Sequence, residues 1–207
     1  MYNTTTKYRE RVAAVSKFAG DLSKTYTYKD YQTWPDTPQM ELIEGVPHAM
    51  TPSPSRLHQK IVVELIRQIS TYLQGKECEV YPAPFDVRLA EPDTSDEAVY
   101  NVVQPDISVI CDPAKLDDKG CKGAPDLVME IVSPSTVTID YIKKLSLYER
   151  YSVREYWIIH PIDKIIMVYK LTEQGSYGRP DTYPIEDNIQ VGIFDDLTIS
   201  LAAIFKI

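Results

Sequence analysis

The chain has 207 residues and a mass of 23.6 kDa, about one domain's worth at roughly 100–200 residues per domain, and its 43% hydrophobic and 25% charged content excludes wholesale disorder. A net charge of −8 and a pI of about 4.9 exclude a generally basic surface, so a nucleic-acid partner has to be held by a local basic patch or a bound metal. No apolar run reaches the ~20 residues that cross a bilayer, and the opening MYNTTTKYRERVAAVSK carries no apolar core of a secretion signal, so the expected location is the cytoplasm with no membrane partner.

Residues 1–24 run against the acidic trend, with five basic residues against two acidic ones, and are read as an N-terminal extension with a short helix near Glu10–Ala19. Residues 25–207 are read as a single domain. Met40–Val46 predicts a strand and a turn, followed by the stiff loop Thr51–Ser55. From His58 to Gln74, apolar residues Ile61, Val62, Leu65, Ile66, Ile69 and Leu73 recur at helical spacing, and Gly75 stops the helix.

Three strands are predicted next, over Glu79–Leu89, Val102–Cys111 and Asp126–Val132, with an acidic surface loop between the first two. Ser133-Pro134-Ser135-Thr136 ends the third strand and offers hydroxyls to cap a helix over Thr138–Tyr151. Glu155–His160 and Lys164–Leu171 flank Pro161-Ile162-Asp163 as a hairpin. The remainder reads as loop, with a short strand or helix near Leu197–Phe205. This order predicts an α/β (α+β) domain. Cys78, Cys111 and Cys121 form no C-x-x-C pair and leave one thiol over, so they read as buried or idle thiols.

The informative residues are acids inside apolar strands. Asp106 opens the β-branched run Ile107–Ile110, and Glu130 interrupts Leu127–Val132. An ionised carboxylate leaves water at high cost unless it is paired, protonated or bound to a metal. Two such acids on central strands suit a divalent cation with hard oxygen ligands. A structural pairing of Glu130 with a lysine is the competing reading, and spacing does not decide between them. Asp140 and Lys144 stand four apart on the predicted helix and can pair, whereas Lys143 faces elsewhere.

Several segments together resemble the Uma-two family of endonucleases, part of the PD-(D/E)xK restriction-endonuclease-like superfamily. They are Glu41–Gly45, Pro52–Ser55 with His58, Pro105-Asp106-Ile107, Gly123–Thr136, Lys144 with Tyr148, and Glu155–Ile158. The resemblance spans roughly residues 25–205 and implies a mixed central β-sheet flanked by helices. It makes Asp106 and Glu130 magnesium (or manganese) ligands in a DNA-cleaving site. The superfamily lysine belongs two residues after the second acid, where this chain has Val132, so its role passes to Lys144 on the following helix. By the same resemblance Glu41 faces the site, while Glu44, three residues on, points to the opposite face. His58 is an accessory residue that contacts a phosphate, or else bonds locally at the helix start. Val132 and the negative charge equally fit an inactive nuclease-fold module that binds nucleic acid or protein. A symmetric homodimer is expected, with some of the 15 tyrosines as surface anchors.

Overall fold

A computed structural model describes residues 24–50, 54–133 and 138–206. The helix expected near Glu10–Ala19 and the capping hydroxyls of Ser135 and Thr136 lie outside these residues. Glu44 and Gly45 both take positive φ, 53° and 73°, the backbone of a tight primed turn. That turn joins β1 (Met40–Ile43) to β2 (Val46–Ala49) in a hairpin, after a one-turn helix α1 (Tyr28–Tyr31). Helix α2 (Arg56–Leu73) follows, capped by the Ser55 hydroxyl, with Ile61, Leu65, Ile69 and Leu73 on its buried side. Gly75, at φ 74°, turns the chain out of the helix.

Two predicted strands are each broken by proline, and the pieces enter different sheets. Glu79–Leu89 divides into β3 (Glu79–Pro82) and β4 (Val87–Arg88), with Pro84 between them. Val102–Cys111 divides into β5 (Val102–Val103) and β6 (Ile107–Ile110), with Pro105 between them. A proline lacks the N–H that continues a ladder, so the chain changes sheet at each point. After them come β7 (Leu116–Asp117), β8 (Gly120–Lys122) and β9 (Leu127–Ile131). The first sheet runs β2-β1-β5-β4-β8-β7.

The predicted helix after β9 begins as a π-helical turn, Ile139–Lys144, and continues as α3 (Leu145–Arg150). The predicted hairpin forms as β10 (Glu155–His160) and β11 (Ile165–Lys170). Its neighbour β12 (Asp181–Pro184) and the pair β13 (Asn188–Gln190) and β14 (Thr198–Ser200) occupy much of what reads as loop, before helix α4 (Leu201–Ile204). The second sheet runs β12-β11-β10-β9-β6-β3, with β9 and β10 parallel and the other pairs antiparallel.

Alternation along β9 separates two cores. Leu127, Met129 and Ile131 pack with α2, Trp157 and Ile159, while Val128 and Val132 pack with Leu147, Tyr148, Tyr156 and Ile158. The second sheet is therefore covered on both faces, by α2 on one and by the π turn and α3 on the other. This is the expected mixed α/β arrangement with helices flanking the sheet. Among the described residues no helix is long and apolar enough to cross a membrane.

One sequence expectation is corrected. Cys78 and Cys111 are joined in a disulfide, and only Cys121 is a free, buried thiol. The reason is register: β3 pairs with β6 through Glu79↔Ile110, so the two cysteines stand next in line across the ladder. The described tyrosines divide between core and half-buried positions. Tyr26, Tyr28, Tyr148, Tyr156 and Tyr169 are buried, and among the described residues Tyr100 is the exposed one.

Candidate active site

The site forms where the chain passes from the first sheet to the second. Strands β6 and β9 are antiparallel with Ile107 opposite Met129, and one further step of that register sets Asp106 opposite Glu130. Glu130 lies on the Val128–Val132 face of β9. The connection from β9 to its parallel neighbour β10 packs Leu147 and Tyr148 on that face. The crossover segment carries Lys144 and lowers it onto Glu130.

Lys144 is 3% exposed, and its Nζ lies 2.8 Å from Glu130 Oε1 and 2.7 Å from Glu41 Oε1. Asp140 Oδ1 stands off at 3.9 Å. The close partners of the ammonium are thus the acids of β1 and β9. Asp140, which the sequence offers as its i,i+4 partner, is the distant one, since the wider π winding shifts that relation. Tyr148, one turn beyond Lys144, donates from its hydroxyl to the same Glu130 Oε1 at 3.0 Å. Glu41 also accepts the backbone N–H of Gln104 at 2.9 Å. Glu44 points away, exposed, and pairs with Arg150. Val132, at the superfamily lysine position, is 7% exposed and belongs to the apolar cluster.

Asp106 and His58 form the more open rim, with side chains 18% and 16% exposed. The backbone N–H of His58 donates to the Ser55 hydroxyl as part of the helix cap, while its Nε2 meets Asp106 Oδ1 at 3.1 Å. The residue thus makes its local bond through the backbone and reaches Asp106 through the ring. Its Nδ1 is buried without a hydrogen-bond partner among the described residues. Asp106 Oδ2 accepts the Ile131 N–H at 2.7 Å, tying the aspartate to the strand that carries Glu130.

Burial pushes the Glu130 carboxyl well above the ordinary carboxylate range, and the neighbouring Asp140, Asp106 and Glu41 charges push it further, against the pull of Lys144. Burial alone would discharge Lys144, but the Glu130, Glu41 and Asp140 carboxylates outweigh it and hold the ammonium charged. Burial, and then the Glu130 charge, keep the Tyr148 phenol protonated and a donor.

The donor set has the chemistry of a magnesium or manganese site. Glu130 and Asp106 supply hard oxygens, and acids outnumber the one ammonium on the floor. Among the described residues no three His, Cys, Asp or Glu side chains make a ready metal cage. Magnesium does not need one, because it is held by one or two carboxylates plus waters and substrate phosphate.

Three neighbours escaped the sequence reading as parts of the site. Tyr148 was legible as Lys144 plus four, on the same helix face. His48 stands opposite Glu41 in the β1–β2 register, which follows from counting back from the Glu44-Gly45 turn. Burial, with the charges of Lys143 and Lys144, pushes its imidazole down to about 4, so it is neutral. Gln104 had no sequence signal, because its role rests on a backbone N–H and on side-chain bonds to Tyr31 and Asp86.

A solved structure shares this fold. A crystal structure described as "a putative nuclease belonging to DUF820", from Anabaena variabilis ATCC 29413, superimposes with a TM-score of 0.69 at 20% identity, over 86% of this chain and 97% of that one. An uncharacterized protein of Synechocystis sp., slr1290, is 26% identical over 152 residues, 72% of this chain and 76% of its own length. Residues 28–202, which carry Glu41, His58, Asp106, Glu130, Lys144 and Tyr148, match the family described as "Uma2: Putative restriction endonuclease", and the chain belongs to that family.

Proposed function

We propose that this protein is a metal-dependent endonuclease that hydrolyses DNA phosphodiester bonds, with Asp106, Glu130 and Lys144 as its catalytic residues. The observation that carries the reading is the buried Lys144 ammonium 2.8 Å from Glu130, delivered by the crossover segment to a site whose strand position is the apolar Val132. Asp106 and Glu130 would hold a magnesium or manganese ion, which when bound supplies an activated water and polarises the phosphoryl oxygen.

The chain's own groups do the rest. Lys144 offers a preorganised positive charge to the oxygen that becomes negative in the transition state. Glu41 and Tyr148 fix Lys144 and Glu130 from two sides, so neither has to reorganise during the reaction. His58 and the Ile131 N–H hold the two oxygens of Asp106 at the solvent-facing rim. Asp140 adds negative charge at longer range, which favours the charged ammonium. Cutting both strands of a duplex calls for two sites, and a symmetric homodimer belongs to the same reading.

The test is nicking of supercoiled plasmid in magnesium or manganese, beside Asp106→Ala. Cleavage by the wild type that is lost in the variant supports the proposal, and an inert wild type in both metals overturns it. A second reading, a nuclease-fold module that binds without cutting, is favoured by one observation. Glu130 Oε1 is already shared by Lys144 and Tyr148, and both Asp106 oxygens are engaged. DNA binding by a wild type that never cuts is its signature.

A further inference from the structure

We propose that Tyr141 and His160 are positioning residues for Lys144: the bond between their side chains pins the π turn Ile139–Lys144 to β10 and so holds the ammonium on Glu130. The catalytic part of this rests on the nuclease reading above, in which a lysine from the crossover replaces one from the strand. A lysine at position 132 would be fixed by the strand itself. One carried on a short turn needs a fixture of its own.

Strand β10 supplies it. Tyr156, Ile158 and His160 alternate onto one face of that strand, and Ile158 stands beside Glu130 in the parallel register. The Tyr156 hydroxyl donates to the Asp140 carbonyl oxygen at 3.2 Å, in the core. The Tyr141 hydroxyl meets His160 Nε2, and Met167 Sδ of β11 lies 3.0 Å from the same oxygen. Consecutive residues of the turn are thus tied to one strand at points about 13 Å apart.

The His160 ring is committed to this contact. Its side chain is 18% exposed, and its other nitrogen, Nδ1, stands 3.8 Å from Asp163, beyond hydrogen-bond reach. Burial pushes the imidazole below its ordinary value, against the pull of Asp163, so near pH 7 the ring is neutral and keeps one nitrogen as an acceptor. Burial pushes the Tyr141 phenol up to about 12, so it keeps its proton.

The turn needs the hold. Winding of the π kind is rare and recurs at functional sites. An α-helix advances about 100° per residue and a π turn less, so relaxation to α between Tyr141 and Lys144 would swing the lysine by roughly tens of degrees off its acids. Ile142, next to Tyr141, is 64% exposed, so the outer side of the turn is open to water and the grip comes from the inner side.

The experiment compares wild type with Tyr141→Phe, His160→Ala and His160→Gln. One readout is acetylation of Lys144 by acetic anhydride, followed by fragment-resolved mass spectrometry with the exposed Lys143 as reference. The other is kcat and KM for plasmid nicking in magnesium. Lys144, 3% exposed, should resist acetylation in the wild type and react towards the rate of Lys143 in Tyr141→Phe and His160→Ala. In those variants kcat should fall by about ten- to a hundredfold at unchanged KM, as expected for a misplaced catalytic group. The double variant should be no worse than either single one. His160→Gln, whose amide can still bond the phenol, should recover both readouts, and Tyr100→Phe, on the exposed surface, should move neither. Lys144 still protected in both Tyr141→Phe and His160→Ala overturns the proposal, even if the melting temperature falls, because the contact is then merely structural. A wild type that does not nick removes the nuclease reading alone, since acetylation of Lys144 decides whether the contact holds the lysine.

Discussion

Replacing Lys144 with methionine keeps the length of the side chain and removes the ammonium that Glu41, Glu130 and Asp140 share. Taking one partner from a buried ion pair leaves uncompensated charge and costs about 3–5 kcal/mol. At 207 residues, each kcal/mol moves the melting temperature by about 2–4 °C, so the variant should melt roughly 6–20 °C below the wild type near pH 8. The loss should depend on pH, with a definite sign. Without the ammonium, burial and the remaining acids raise the Glu130 carboxyl still further above its unfolded value. Between that unfolded value, near ~4.3, and the raised folded one, the folded variant holds more protons than the unfolded chain, so its stability falls as pH rises. The wild-type carboxyl is raised as well, so the deficit changes only between the two folded values, where one proton, about 1.4 kcal/mol per pH unit, should shrink it by roughly 3–6 °C for each unit of acidification. Calorimetric melts from pH 5 to pH 8 measure it, and manganese should restore part of the loss by supplying positive charge. Cleavage should fall by roughly a hundredfold or more while metal still binds. Lys143→Met is the control, because Lys143 is exposed and among the described residues its ammonium meets only His48, at 3.3 Å. A Lys144→Met protein that melts with the wild type at pH 8, or cuts as fast, refutes the reasoning.

Asp106→Asn should leave the metal-free melting temperature within about 4 °C, since the amide oxygen can still accept the Ile131 N–H, while calorimetric manganese binding disappears. A large fall in stability without metal would mark Asp106 as structural. Because Glu130 holds its proton above the usual carboxylate range, cation binding should release protons and tighten with rising pH until that carboxyl ionises. Titration heats that are the same in buffers of different ionisation enthalpy would contradict this. Denatured protein should show one reactive thiol before reduction and three after it. With the bridged cysteines 33 positions apart, Cys78→Ser with Cys111→Ser should cost about 3–4 kcal/mol, read from denaturant unfolding. Light scattering should give twice the chain mass, and a monomer at every concentration would count against the homodimer.

Local pattern was enough for the elements that depend on local pattern. The spacing of Ile61, Leu65, Ile69 and Leu73 marks α2, the Leu127–Ile131 run marks a strand buried on both faces, and Glu155–Leu171 marks a hairpin, because periodicity and turn chemistry act over a few residues. Asp106 and Glu130 stood out by the same logic, since a carboxylate in an apolar strand costs energy wherever that strand lies. Partners distant in the chain were decided only by the fold. The sheet order put Cys78 beside Cys111 and β1 beside β5, and so brought Glu41 to Gln104. Prolines 84 and 105 split two strands between two sheets, a consequence of lost N–H donors that hydrophobicity does not register. The β9–β10 crossover, with its π turn, set Lys144 against Glu41 and Glu130 rather than Asp140. Composition told how many tyrosines the chain has, and packing decided which of them, Tyr26, Tyr28, Tyr148, Tyr156 and Tyr169, enter its core. The acids of this site are properties of single strands, whereas the lysine that balances them is a property of how a helix crosses a sheet.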